Sequence, residues 1–221
     1  MAVIVMIYGK SGSGKSTSLR NFKQGDVTVI NVSRKPMPFR AQFTDIIPTD
    51  DYTAIRNAVK DSVTPSVVID DATYLMVDEF MRNRAVSGYQ KFTVLGGNFF
   101  DLITMCRDSL PDNKIIYFMG HVEQNESGDE HFKTIGKLLD EKVTLEGLFT
   151  VVLKTVVQDK RYCFQTQTNG HDTVKSPMGL FDTQYIDNDL AAVDAAIREY
   201  WNIPAEKMPV KNNTPRFAAR R

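Results

Sequence analysis

Eight residues near the start of the chain, Gly9-Lys10-Ser11-Gly12-Ser13-Gly14-Lys15-Ser16, follow the spacing G-x-x-x-x-G-K-[ST]. No other stretch constrains the fold as much. Before it, Val3-Ile4-Val5-Met6-Ile7-Tyr8 is a continuous apolar run rich in β-branched residues, as expected of a strand buried on both faces of a parallel sheet. After it, Thr17 to Lys23 reads as a helix. Strand, glycine loop and helix in that order is the context in which this spacing binds phosphate. The plain alternative is a glycine- and serine-rich turn that matches the pattern by chance. The expected fold is therefore α/β, with a mostly parallel central sheet flanked by helices.

Such a loop must donate many hydrogen bonds to a polyphosphate at close range. Gly12 and Gly14 lack Cβ, so the backbone turns tightly and aims N–H groups at phosphate oxygens. The first turn of the following helix adds free N–H groups and a favourable dipole. Lys15 supplies a point charge for the β- and γ-phosphates, and the Ser16 hydroxyl is suited to ligate Mg2+. Gly9, Lys10, Ser11, Gly12, Ser13, Gly14, Lys15, Ser16 and Thr17 are the candidate contacts to ATP.

The length of 221 residues suits one domain, expected over residues 1–203, with a basic tail over 204–221. An apolar fraction of 42% provides for a sizeable core. The formal net charge is zero, so no global field draws the chain to nucleic acid or to a membrane, and any polyanion contact must be local. Cys106 and Cys163 sit in apolar settings and read as reduced thiols of a cytoplasmic protein. The first apolar run leads straight into the glycine loop and reads as a strand, not a signal peptide. No run approaches the roughly 18 apolar residues of a membrane span.

A second constellation lies at Ser66-Val67-Val68-Ile69-Asp70-Asp71, an apolar strand ending in paired carboxylates. Asp70 at the tip is placed to hold Mg2+ beside Ser16, as the Walker B acid of phosphate-loop ATPases does. Asp71 is a candidate to orient or deprotonate an attacking water, or else it caps the next helix. The strand Lys114 to His121 ends in a histidine, a candidate γ-phosphate sensor or a structural residue. Between the glycine loop and the Ser66 to Asp71 strand, Val27 to Val32 reads as a strand. The proline-broken segment Ser33 to Arg40 follows it, with three positive charges on the expected nucleotide rim. That segment suits a nucleotide, a nucleic acid or a neighbouring subunit, or is only a solvated loop.

Arg82, Arg84, Tyr89, Lys91 and Phe92 flank or lie in a segment with three glycines, Val86 to Gly97. A flexible, basic and aromatic loop is the composition of a single-strand-binding surface; a linker packed on the core is the alternative. Toward the C-terminus, Phe149 to Val157 and Arg161 to Gln167 read as a hairpin extending the sheet. Lys175 lies in an exposed loop, as a candidate cation for a neighbouring subunit's γ-phosphate or a plain surface lysine. Asp189 caps a last helix that Pro204 ends.

Gly9 to Thr17, Asn31-Val32-Ser33-Arg34-Lys35-Pro36, Val67 to Asp71 and Phe164-Gln165-Thr166-Gln167, in this order, resemble the phage-encoded AAA-type nucleotide-binding proteins with a RecA-like core. That group includes phage single-strand annealing ATPases. The resemblance covers roughly residues 1–185. It implies a RecA-like P-loop NTPase fold, Mg-ATP hydrolysis, a single-stranded DNA partner, assembly into rings or filaments and a place in the host cytoplasm. RecA-like proteins commonly carry a catalytic glutamate at the end of the second strand, where this chain offers Ser33, so Asp71 takes that role or turnover is slow.

Two other classes share the loop. Small-molecule and nucleotide kinases need lid arginines, and this chain has no arginine between Arg107 and Arg161. Partitioning or switch ATPases carry a second lysine where Lys10 stands, but usually a glycine in place of Ser11. An assembly protein that binds nucleotide without hydrolysing it is a further alternative.

Overall fold

The first strand is buried on both faces because each face packs its own layer. Ile4, Met6 and Tyr8 point into one hydrophobic cluster, and Val5 and Ile7 into the other, the period of two that a strand imposes. The computed structural model describes residues 1–136, 139 and 142–205. The strands are β1 (Val3–Gly9), β2 (Val27–Asn31), β3 (Ile46–Ile47), β4 (Ser66–Asp70), β5 (Ile115–Gln124), β6 (Glu130–Phe132), β7 (Val151–Gln158), β8 (Arg161–Gln165) and β9 (Tyr185–Asp187). The helices are α1 (Tyr52–Asp61), α2 (Thr73–Arg82), α3 (Gln90–Asp108) and α4 (Leu190–Trp201).

The nine strands form one mixed, mostly parallel sheet in the order β3-β2-β4-β5-β1-β7-β8-β9, with β6 paired to β5. From β3 to β7 neighbours run parallel; β6, β8 and β9 are antiparallel additions. Helices α1, α2 and α3 cover one face through Ile55, Val59, Leu75, Met76, Phe99, Leu102 and Ile103. Helix α4 covers the other through Leu190, Val193 and Ile197. The architecture is α/β, as the apolar runs require. Strand β5 lies between β1 and β4, with Gly9 opposite His121 in register, so the loop, the histidine and the carboxylates share one rim.

Two local expectations give way. Thr17 to Lys23 is not an α-helix: Ser16–Asn21 forms a short 3-10 helix that stops at Phe22. Ser16, Thr17 and Ser18 are poor helix formers, and the chain must turn at Gly25 to start β2. The Val86 to Gly97 segment is not an open loop either, because α3 begins at Gln90 and runs through Gly96 and Gly97. Gly96 is buried, and packing of α3 on α2 overrides the weak helix propensity of glycine.

The C-terminal hairpin forms as read, turning at Asp159 and Lys160 with φ of 48° and 63°, the left-handed pair of a two-residue hairpin turn. Asp189 caps α4 by accepting from the N–H groups of Ala191 and Ala192. Helix α4 is locked to the sheet by a buried polar cluster. Asp194 accepts from Tyr117 Oη at 2.8 Å, and Arg198 donates to Ser66 Oγ at 2.8 Å and to the Pro65 carbonyl at 3.0 Å, so these buried groups are paired. Both cysteines are free thiols. Among the described residues no helix is long and apolar enough to cross a membrane. The basic residues expected in the tail, Lys207 to Arg221, lie outside the described residues.

Candidate functional site

Gly9 ends β1 where no side chain fits: an added Cβ would collide with Thr155 of β7. Gly12 and Gly14 take φ of 76° and 98°, the left-handed backbone that makes the loop turn. Ser13 is buried and ties the loop down, donating to the Lys10 carbonyl at 2.6 Å and meeting Thr155 Oγ1 at 2.5 Å. Lys10 and Ser11 are exposed at the crest, and Thr17 stands at the mouth.

Lys15 folds back into its own loop. Its Nζ donates to the Gly9 carbonyl at 2.9 Å and the Lys10 carbonyl at 3.0 Å. Burial lowers its pKa, against the pull of Asp71 and Asp70. Ser16 Oγ donates to Asp70 Oδ1 at 3.1 Å, joining the residue that follows the glycine loop to the end of β4. Asp70 is 5% exposed. Burial first, and the Asp71 charge second, push its carboxyl up to about 6. Hydroxyl and carboxylate oxygens suit a hard divalent cation, and the charge of Lys15 does not offset the burial of the Asp70 carboxylate; these residues fit Mg2+.

Asp71 does not cap α2, whose first-turn N–H groups receive no side-chain cap. Its backbone is left-handed, with φ of 60°, and its carboxylate faces the cavity. Oδ1 lies 3.7 Å from His121 Nε2 and Oδ2 lies 3.7 Å from Lys35 Nζ. His121 also meets the Tyr74 ring edge-on at 5.5 Å. Burial and then the Lys15 charge lower its pKa, which favours the neutral imidazole at pH 7. Lys35 Nζ stands 5.0 Å from the centre of the Tyr74 ring.

These groups line one cavity of about 410 Å3, between the glycine loop and the Ser33–Pro38 segment. Its size is within the roughly 300–1,000 Å3 of small-molecule sites. Among the lining residues there is no arginine. A larger cavity of about 750 Å3 lies by β6, but Glu126, Asp129, Glu130, Glu146 and Asp172 line it, a charge that repels polyphosphate.

The remaining candidates sit elsewhere. Lys175 is exposed, and its backbone exchanges hydrogen bonds with Val152 of β7 at 2.8 and 3.0 Å; its side chain does not line the cavity. Arg82 pairs with Asp50, and Arg84 donates to the Met81 carbonyl at 3.0 Å. Phe92 stacks on Phe80, with Lys91 over both rings. Tyr89 is 88% exposed. Among the cavity residues to which the sequence gives no individual role are Lys35, Tyr74 and Tyr162. Lys35 was visible only as part of a basic segment. Tyr74 looked like any aromatic on a helix. Tyr162 occupies an alternating strand, and nothing local marks it. The chain matches no protein-family model and no curated protein.

Proposed function

We propose that this chain is a Mg-ATP-binding and hydrolysing RecA-like P-loop ATPase of phage type, acting on single-stranded DNA in recombination, annealing or repair as a ring or filament. The observation that carries the ATPase reading is the Ser16–Asp70 contact of 3.1 Å beside Lys15. A hydroxyl from the glycine loop and a strand-tip carboxylate 54 residues away converge where a metal-bound phosphate would sit.

In this reading Ser16 and Asp70 would hold Mg2+, which would supply electrostatic stabilisation of phosphate charge. Lys15 leaves the Gly9 and Lys10 carbonyls for the phosphates, and the loop N–H groups donate to their oxygens. Asp71 orients the attacking water and accepts its proton. Neutral His121 stands at the γ-phosphate end with one ring N–H to donate. Lys35 is a cation in cis that a γ-phosphate draws from Asp71. The absence of arginine from the lining favours hydrolysis over phosphoryl transfer to a second substrate, which kinases support with lid arginines.

The DNA arm rests on Tyr89, Lys91 and the α2–α3 connection. An exposed aromatic beside a cation is suited to stack a base and pair a phosphate. The test is steady-state ATP hydrolysis with and without single-stranded DNA, at low and moderate salt. Turnover stimulated by DNA and abolished by Lys15→Ala is expected. Unchanged turnover in Lys15→Ala overturns the site. Turnover indifferent to DNA moves the function to a switch or assembly ATPase.

A further inference from the structure

We infer that Tyr162 and Asn188, packed against Gly14, form a nucleobase subsite that selects adenine over guanine. The inference rests on the glycine loop binding a nucleoside triphosphate.

The sheet gives the cavity a direction. Asp70 and Asp71 at the end of β4 and His121 within β5 lie on one side of β1. These groups fix where the terminal phosphate and its cation belong. Strands β7, β8 and β9 lie on the other side of β1. A nucleotide with its γ-phosphate at the first side must run its nucleoside toward the second. There Tyr162 of β8 and Asn188, the residue after β9, rest on the loop. A Cβ built on Gly14 would lie 2.9 Å from Tyr162 Cδ1 and 3.1 Å from Asn188 Oδ1.

Asn188 is 2% exposed and stands outside the cavity lining, so a base meets it only when Tyr162, which does line the cavity, lifts; neither its Nδ2 nor its Oδ1 has a hydrogen-bond partner among the described residues. Its backbone is anchored: the N–H donates to the Tyr162 carbonyl at 3.3 Å and the carbonyl accepts from Arg20 Nη1 at 2.5 Å. An amide held in place by its main chain, buried and unpaired, costs stability in the free protein. A ligand edge with a donor beside an acceptor removes that cost. Adenine presents such an edge in N6–H and N7, the pair that asparagine reads bidentately; guanine presents two acceptors, O6 and N7. The Tyr162 ring, half exposed near the hairpin turn, is free on one side to lift from Gly14 and stack on the base, a contact that any base satisfies.

The experiment measures binding of ATP, GTP, CTP and inorganic tripolyphosphate, each with Mg2+, to the full chain by calorimetry. Wild type is expected to bind ATP at least tenfold tighter than GTP. Asn188→Ala should bring that ratio close to one and leave tripolyphosphate unaffected. Tyr162→Ala should weaken every nucleotide by about tenfold and tripolyphosphate hardly at all, with Tyr162→Phe near wild type. Because the Asn188 amide makes no hydrogen bond in the free protein and its burial unpaired costs stability, Asn188→Ala should keep or raise the melting temperature. If it unfolds, the two Tyr162 variants decide. ATP binding no tighter than tripolyphosphate, or an ATP/GTP ratio indifferent to both positions, overturns the base subsite and leaves the phosphate site intact. Binding of neither ATP nor tripolyphosphate overturns both.

Discussion

Replacing Asp70 by asparagine is expected to stabilise the ligand-free protein, although Asp70 is the proposed metal ligand. In the folded chain its carboxyl is raised to about 6 from an ordinary 3.8, first by burial and then by Asp71. Between those two values the folded protein holds a proton that the unfolded chain has lost. Stability therefore falls as pH rises through that window, and the loss persists above it. A shift of about two units corresponds to about 3 kcal/mol. Asparagine removes the charge and keeps an oxygen to accept from Ser16 Oγ and Asp71 N–H, both bonded to Oδ1 at 3.1 Å. Those bonds weaken once the acceptor is neutral, so the net gain at pH 8 is about 1–3 kcal/mol. In a chain of this size that raises the melting temperature by about 2–12 °C. The gain should shrink through pH 6 and vanish by about pH 4, below which wild type is itself protonated. Mg2+ should raise the melting point of wild type at pH 8 and leave Asp70→Asn unmoved. Scanning calorimetry across pH, with and without Mg2+, reads all of this. Asp70→Asn less stable than wild type at pH 8, or a gain independent of pH, would refute the reasoning.

Asp71→Asn should reduce ATP turnover at least tenfold while ATP affinity stays within about threefold, as loss of a proton acceptor used in the chemical step requires; equal loss in both makes Asp71 a binding residue. Gly120→Ala should lower stability by about 1–3 kcal/mol in a denaturant titration, because the new methyl group enters the space of the Phe132 ring and Thr73 Oγ1; a neutral result would mean that β5 and β6 shift freely. Replacing Tyr89 and Lys91 together by alanine should weaken single-stranded DNA by about tenfold, with a shallower salt dependence and unchanged basal hydrolysis. Unaltered DNA affinity would move that surface elsewhere.

The charged end of the cavity was legible because its residues are fixed by short-range pattern. A glycine loop must follow a strand, and a carboxylate at the tip of another parallel strand of the sheet reaches the same rim whatever the connections do. His121 followed from the same rule, although β5 continues to Gln124. What pattern does not carry is the pairing of distant strands. Tyr162 and Asn188 reach Gly14 only because β8 and β9 fold back antiparallel beside β7. Lys35 reaches Asp71 only through the path of a proline-broken segment. The first turns of α3, Gln90 to Gly97, read as loop for a related reason: their glycines say loop, and the α2 surface that overrules them is nonlocal, whereas Phe99 to Cys106 carries helical spacing. The Asp71 choice between cap and cavity was settled by its left-handed backbone, which a sequence does not display.

Asp50 accepts from Arg34 and from Arg82 at once. Burial works to raise its carboxyl, but the Arg82 hydrogen bond and the charge of both arginines outweigh it and hold it below the usual range. Arg34 precedes Lys35 in the segment that roofs the cavity, and Arg82 ends α2, next to the segment that bears Tyr89. One carboxylate thus masks two guanidinium groups on a rim that would otherwise be strongly cationic. Neutralising Asp50 would unmask both in a protein whose formal charge is zero, creating a local polyanion trap without adding a single basic residue. That masking weakens as salt rises.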